Sequence, residues 1–335
     1  MTLHKNNTSH RILGVGNALV DVMIALENDD ILHRFGLPRG SMTLVDNRLS
    51  ADIFQDTRPL HKQMTTGGSA ANTIHTLASL GAACGYAGKI SRDELGDVFE
   101  KEFREKGITT HLKYSNTGTG RVMAMVSTDS ERTMATYLGA AAELLPEDFT
   151  PELMEPYKYL YVEGYLVQDH RLIETILKTG HESGLTVAID LSSFNIVEQN
   201  RNFLRYLISG YTDIVFANEE EALAYTGFGP EEAVTAIAGE CELAIVKTGK
   251  SGSLIRQGDS LIHVHPVPTL SLDTTGAGDS YSAGFLYGLT KGLTLRQCGD
   301  IASLVSSKAV EIMGAKIPES TWPELLTRVN QIIEH

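Results

Sequence analysis

Asp279 closes the string DTTGAGD, ahead of a run that turns helical near Ala277, with Ala283, Phe285, Leu286 and Leu289 apolar. Gly276 and Gly278 allow a tight turn and leave the first amides uncovered. Those amides lack intrahelical acceptors and lie at the positive end of the helix dipole. The turn can therefore hold an anion, most readily a phosphate. A carboxylate beside such a site is repulsive unless it has work to do. The work that fits is to take the proton from a hydroxyl, while the amides of Ala277, Gly278 and Asp279 hold a transferring phosphoryl group. In isolation, a Gly-x-Gly-Asp string reads as no more than a capped turn.

Other reactive residues sit at the ends of short extended runs. Asp21 interrupts an apolar stretch in RILGVGNALVDVMIA, residues 11–25, which reads as strand, glycine-bearing bend and second strand. There Val20, Val22 and Ile24 alternate with Asp21, Met23 and Ala25, as in a half-exposed strand. Gly14-x-Gly16 is a weak dinucleotide signal, because the third glycine and the following helix are missing. Gly67 and Gly68 open an amphipathic helix within 65–80, and the plain reading makes Ser69 its cap. Arg132 starts the second strand of a hairpin formed by 121–127 and 131–137 around the turn TDSE. Asn218 and Glu221, in ANEEEA, share a helical face and match a capping box. The run IVKTGKSGS, 245–253, contains GKS, but a P-loop needs glycine where Ala244 stands and a helix where SLIRQ reads as strand. Lys247, Thr248, Gly249 and Gly252 then remain as a glycine-bearing loop.

The elements that must position these groups follow from the rhythm of the second half. Residues 159–163, 187–190, 214–217, 244–247 and 254–256 are strand-like, whereas 172–183, 203–210, 219–226 and 230–238 read as helices. Such alternation predicts an α/β fold with a mostly parallel sheet and helices on both faces. Ligands of these sheets sit at the C-terminal edge of the strands. Asp190, Asn218, Thr248 and Asp273 follow predicted strands and so fall along that edge. Earlier in the chain, 40–46 reads as a short strand, and 83–88 as a strand leading into the acidic turn SRDELGD.

The 335 residues, 42% of them hydrophobic, are enough for a large α/β domain with a full core. A formal net charge of -14 argues against nucleic acid or an anionic membrane as the main partner. Cys84, Cys241 and Cys298 are far apart, without metal-ligand spacing, and fit free thiols in a reducing cytoplasm. The polar start MTLHKNNTSHR is expected to fray and lacks the pattern of a signal peptide. No apolar run is long enough for a membrane span. The expectation is a soluble cytoplasmic protein.

The string DTTGAGD, the earlier GGSAANT and the Asn-x-x-Glu of ANEEEA together resemble the signatures of the ribokinase-like (phosphofructokinase-B type, PfkB) carbohydrate and nucleoside kinases. That resemblance implies a three-layer α/β/α domain over 11–330, with a small β-sheet lid from about 17–46 and 115–140. It implies ATP and Mg²⁺ as cofactors and Asp279 as general base at the anion turn of Gly276, Ala277 and Gly278. Asp21 would accept bonds from the substrate's hydroxyls, with Gly67 and Gly68 approaching through their backbone and Asn72 as a polar contact. Arg132 would reach the transferred phosphate. Asn218 and Glu221 would order Mg²⁺ and phosphate, largely through water, and Lys247, Thr248, Gly249 and Gly252 would cover the nucleotide. Asp273 and 309–316 correspond to where some relatives bind a monovalent cation such as K⁺.

Within this family GNALVDV, GSMTLVD, GGSAANT, TYLGAAAELLPED, YVEGYLV, DIVFANEEEA and DTTGAGD stand in the order of bacterial adenosine kinases. Tyr165, in EGY, matches an aromatic position that stacks on the nucleobase, and it reads equally well as a core or edge tyrosine. Sugar kinases share the signatures, so ribokinase, fructokinase and inosine-guanosine kinase acceptors stay open. A nucleotide- or sugar-binding regulator without catalysis is the other class, and its usual mark, loss of the aspartate at 279, is not found here. The implied partners are ATP and a small nucleoside or sugar, with the chain a monomer or homodimer.

Overall fold

A computed structural model describes residues 10–60, 62–129 and 131–334. The polar start over 1–9 and Ser130 in the TDSE turn lie outside the described residues. The strands are β1 (Ile12–Val15), β2 (Leu19–Ala25), β3 (Met42–Leu44), β4 (Lys62–Gly67), β5 (Cys84–Ser91), β6 (Thr109–Ser115) and β7 (Gly120–Val126). They continue with β8 (Arg132–Tyr137), β9 (Tyr159–Glu163), β10 (Thr186–Asp190), β11 (Ile214–Asn218), β12 (Leu243–Lys247), β13 (Ser253–Gln257) and β14 (Ser260–Val264). The helices are α1 (Asp30–Arg34), α2 (Asn47–Asp56), α3 (Ser69–Ser79), α4 (Glu94–Glu105), α5 (Pro151–Met154) and α6 (His170–Glu182). After them come α7 (Phe194–Tyr211), α8 (Glu219–Thr226), α9 (Pro230–Ala238), α10 (Ala277–Thr290), α11 (Leu295–Ala309) and α12 (Trp322–Glu334).

Nine strands form the large sheet in the order β14-β13-β12-β11-β10-β9-β1-β5-β6. From β12 to β6 all neighbours are parallel, and β13 and β14 add an antiparallel hairpin at one edge. Side chains alternate across this sheet because strand neighbours point to opposite faces. Tyr161 and Phe216 meet Ile74 of α3 and Phe285 of α10 in one core, whereas Leu160, Val162 and Val215 meet Ile173, Leu207 and Val234 in the other. This is the ribokinase-like α/β architecture, helices on both faces of a mostly parallel sheet.

A second sheet, ordered β3-β8-β7-β2-β4, stands apart from the first. Its outer face buries Val22, Ile24, Met123 and Met125 beneath α1 and α2. The alternation read in 11–25 is what β2 shows, with Val20, Val22 and Ile24 buried and Asp21 and Met23 turned to the other side. The sheet also takes β4, which lies outside the two expected lid segments. KQMTTG carries no apolar alternation, so only its antiparallel partner β2 makes it a strand.

Four local expectations need correction. SRDELGD is not an acidic turn but the start of α4, because the Asp93 side chain accepts from the Gly96 amide and caps it. Phe99 and Phe103, four apart, supply its buried face. Helix α7 begins at Phe194 rather than near 203, and only Val197 is buried in its first half. Ser69 is not the cap of α3: Gly68 holds that place at φ 97° and Ser69 is helical. Finally, Asp273 follows no strand. After β14 the chain runs irregularly through Pro266 and Pro268, which carry no amide donor for a ladder.

Helix α10 packs on α11 through two glycines. A methyl on Gly284 would lie 2.7 Å from Ala302 Cα, and one on Gly288 would lie 2.9 Å from Cys298 Cα. Gly284→Ala should therefore push the helices apart and destabilise the fold by about 1–3 kcal/mol, the usual cost of overpacking. Chemical denaturation checks this, and an unchanged midpoint would show that the contact yields.

Candidate active site

A cleft of about 1880 Å³ lies between the inner face of the small sheet and the C-terminal edge of the large one. Asp21, Asn72, Arg132, Tyr165, Lys247 and Asp279 all line it. Each arrives from a different element, and the large sheet sets their spacing.

The anion turn precedes α10. Gly276 caps the helix at φ 72°, a left-handed conformation that favours glycine. A methyl there would also meet Ala315, at 2.7 Å from its Cβ. Ala277 N donates to Thr274 O at 3.2 Å, which removes it from the expected trio of anion donors. The Gly278 and Asp279 amides have no backbone acceptor among the described residues and remain available.

Asp279 is held by α3. Ser69 Oγ donates to Asp279 Oδ1 at 2.7 Å and Asn72 Nδ2 to Oδ2 at 3.2 Å. Asn72 Oδ1 is buried and has no hydrogen-bond partner among the described residues, which leaves an unused acceptor beside Asp279. The floor of the cleft pushes the Asp279 carboxyl up to about 6, because removal from water outweighs the two bonds that favour its charged form. Asp21 is likewise raised to about 6 by burial, with Lys316 and Arg132 opposing. Gly67 packs on it so closely that a methyl would lie 2.2 Å from Asp21 Oδ1.

Two buried acids belong to the site although the sequence reading assigned them no role. Glu163 ends β9 and accepts from the Asn17 amide at 2.9 Å, from Asn17 Nδ2 at 2.6 Å and from the Ala70 amide at 2.9 Å. It ties the β1–β2 bend to the start of α3, and burial raises it to about 7. Asp190 ends β10 and accepts from Lys247 Nζ at 2.8 Å, Ser282 Oγ at 3.2 Å and the Ser192 amide at 3.0 Å. A carboxylate ending an otherwise apolar strand, as in YLYVE and TVAID, is the signal that finds both.

Lys247 is the last residue of β12 rather than part of the loop that follows. Its ammonium stands 3.2 Å from where a Gly278 Cβ would be, directly against the anion turn. Burial would lower its pKa, but Asp190, Glu221 and Asp279 hold it above the ordinary value. Thr248 N closes the following loop on Gly252 O, and Gly252 is required because a side chain would strike Val264 O. GKS forms a single turn between β12 and β13, with no helix behind it.

Asn218 and Glu221 form the capping box of α8: Asn218 N and Nδ2 both donate to Glu221 at 2.8 Å, and the Glu221 amide donates back to Asn218 Oδ1 at 2.8 Å. Glu221 is raised to about 7 by burial and by Asp190. Arg132 Nη2 lies 2.8 Å from Asp273 Oδ2, and its Nη1 donates to Thr275 Oγ1 at 2.7 Å. Its buried Nε makes no hydrogen bond among the described residues. Asp273 also accepts from the Thr275 amide at 3.0 Å and the Gly314 amide at 2.7 Å, so both its oxygens are occupied. Tyr165 sits in the single turn Gly164–Gln168 after β9.

The comparisons with known proteins agree with this geometry. Residues 49–322 match the pfkB family of carbohydrate kinases, and the chain belongs to that family. It is a kinase that uses ATP and a hydroxyl acceptor. The crystal structure of a probable sugar kinase from Rhizobium etli CFN 42 is 33% identical, with a TM-score of 0.86 over 96% of this chain and 99% of that one. That of adenosine kinase from Sinorhizobium meliloti is 34% identical, with a TM-score of 0.85 over 96% and 99%. Adenosine kinase 2 of Arabidopsis thaliana is 23% identical over 333 residues, covering 92% of this chain and 96% of its own.

Lys247→Met should leave Asp190 without its cation while its two weaker bonds remain. Breaking a largely buried pair from one side costs about 3 kcal/mol, and urea unfolding would measure it. Wild-type stability would mean that Asp190 is satisfied without Lys247.

Proposed function

We propose that this kinase transfers the γ-phosphate of ATP to the 5′-hydroxyl of adenosine, giving AMP, with Asp279 as general base. The observation that carries the acceptor is the inner face of the small sheet. Leu19, Met23, Met42, Met64, Val122 and Met134 turn an apolar wall to the cleft, which Tyr165 also lines. A nucleobase can lay its whole face against such a wall, whereas a free sugar has only a small C–H face to offer it. The 34% likeness to the Sinorhizobium meliloti enzyme supports the same acceptor.

In this reading Asp21 and Asn72 Oδ1 take the ribose hydroxyls, and the backbone of Gly67 and Gly68 closes around them. Asp279 removes the acceptor proton. The Gly278 and Asp279 amides, Lys247 and the free Nε of Arg132 stabilise the charge that develops on the phosphoryl group. Thr248, Gly249 and Gly252 flank the nucleotide.

Mg²⁺, when bound, neutralises the phosphates and aligns them. Among the described residues no three metal-ligating side chains are gathered together. Glu221 is engaged by Asn218, so contact with the ion through water fits the donors present. A monovalent cation beside Asp273 would share oxygens that already accept from Thr275 and Gly314 and face Arg132.

The proposal keeps one kinase domain over 11–330, with the small sheet as its lid, acting in the cytoplasm as a monomer or homodimer. No helix among the described residues is long and apolar enough to cross a membrane. The second reading is a sugar kinase, favoured by the 33% likeness to the Rhizobium etli protein.

A coupled ADP-release assay separates the two. One aromatic stack is worth about 1–3 kcal/mol, so kcat/KM for adenosine should exceed that for ribose by about tenfold or more. Tyr165→Ala should erode adenosine turnover and spare ribose. Equal or better kcat/KM with ribose or fructose would place the protein among the sugar kinases.

The pH profile tests the base. Asp279 and Asp21 are raised to about 6 and must be ionised to act, so kcat/KM should be full above that value and fall as pH drops through it. A profile flat down to about pH 5 would contradict both assignments.

A further inference from the structure

Lys316 is largely buried at the edge of the cleft and has no assigned work in the proposed reaction. Lys316 Nζ donates to Thr66 Oγ1 and to Glu102 Oε1. Glu102 Oε2 accepts from the Thr66 amide at 3.1 Å, and His75 Nε2 lies 3.3 Å from Oε1. Thr66, in β4, is fully enclosed at 1% exposure. Four elements therefore converge here: the lid strand β4, helices α3 and α4, and the segment after α11.

That last segment makes three contacts in sequence. The Gly314 amide donates to Asp273, which grips Arg132 of the lid. Ala315 fills the space against Gly276 at the anion turn. Lys316 then fastens Thr66, whose neighbour Gly67 packs on Asp21 and leads through Gly68 into Ser69, the residue that holds Asp279. Within the small sheet Asp21 is paired with Thr65.

We propose that Lys316 is a positioning residue for the acceptor: it locks the end of β4 to the segment that forms the back of the anion turn. Without it, β4 keeps its pairing to β2 but loses its fixed distance to the turn, so Asp21 and Asp279 no longer share one frame. The charges facing Lys316 are Glu102 from α4, Lys106 just after that helix, His75 from α3 and Asp21 from β2, while Lys106 is itself paired with Glu319. Glu102 is held down at about 2: burial opposes this, but His75, Lys316 and the Thr66 amide prevail. Burial draws the Lys316 ammonium below its ordinary value, and Glu102 and Asp21 oppose that. The inference rests on the assignment of Asp21 to the acceptor and Asp279 to the base.

The test is steady-state kinetics with adenosine and ATP varied separately, on Lys316→Met, Lys316→Arg and Asp21→Ala. Displacing a positioned group commonly costs about tenfold or more. Lys316→Met should raise the adenosine KM by about tenfold and leave the ATP KM within about twofold, and Lys316→Arg should restore most of the loss. An unchanged adenosine KM, a parallel rise in both constants, or an arginine variant no better than the methionine one would overturn the proposal. If Lys316→Met does not purify folded, Glu102→Gln and Thr66→Val carry the same expectation, and a wild-type KM in both refutes it. If Asp21→Ala leaves the adenosine KM unchanged, the acceptor reading falls and Lys316 with it. If only Lys316→Met is silent, the Lys316 role alone falls.

Discussion

The arrangement depends on a single desolvated carboxylate. Asp279 stands in the first turn of α10, where two free amides favour negative charge, and at the floor of a cleft that disfavours it. The opposing effects leave it close to 6, poised to accept a proton near neutral pH. Ser69 and Asn72 fix its orientation from α3, so α3 and α10, which pack together on one face of the large sheet, must keep one separation. The close glycine contacts of α10 with α11 serve that end, because they set where the anion turn lies over the sheet.

Charge balance follows from the same constraint. Asp190 bonds the Lys247 ammonium directly, and the more distant charges of Glu221 and Asp279 help it keep the proton that burial alone disfavours. In the proposed reaction an anionic substrate would meet a few cations beside the start of α10, rather than a general positive field. Arg132, held by Asp273 and Thr275, brings the small sheet to the same point. Closing a cleft over such charges strengthens each of them by excluding water.

Local chemistry was legible in the sequence wherever it is written in neighbouring residues. The start of α10 at Ala277 and the bounds of α8 and α9 follow from Gly, Asn and Pro punctuation, and the structure places them there. The parallel sheet follows from alternating runs. What could not be read is contact across the chain. Ser69 looks like a plain cap until Asp279, 210 positions away, takes its hydroxyl. β4 has no apolar signature because its partner β2, not its own composition, makes it a strand. Asp273 stands after a proline-bearing crossing rather than a strand, and its partner Arg132 lies 141 residues earlier in the chain. Glu163 and Asp190 were within reach, since a carboxylate ending an apolar strand needs a reason to be there.

The central claim, that Asp279 is the base, is tested most directly by binding and turnover measured on the same Asp279→Asn protein. The amide keeps the shape and can still accept from Ser69, but it cannot take a proton. Calorimetry should show acceptor and ATP binding close to wild type, while kcat falls by roughly 10²–10⁴-fold. A purified variant that binds both substrates and retains near-wild-type kcat would contradict the account.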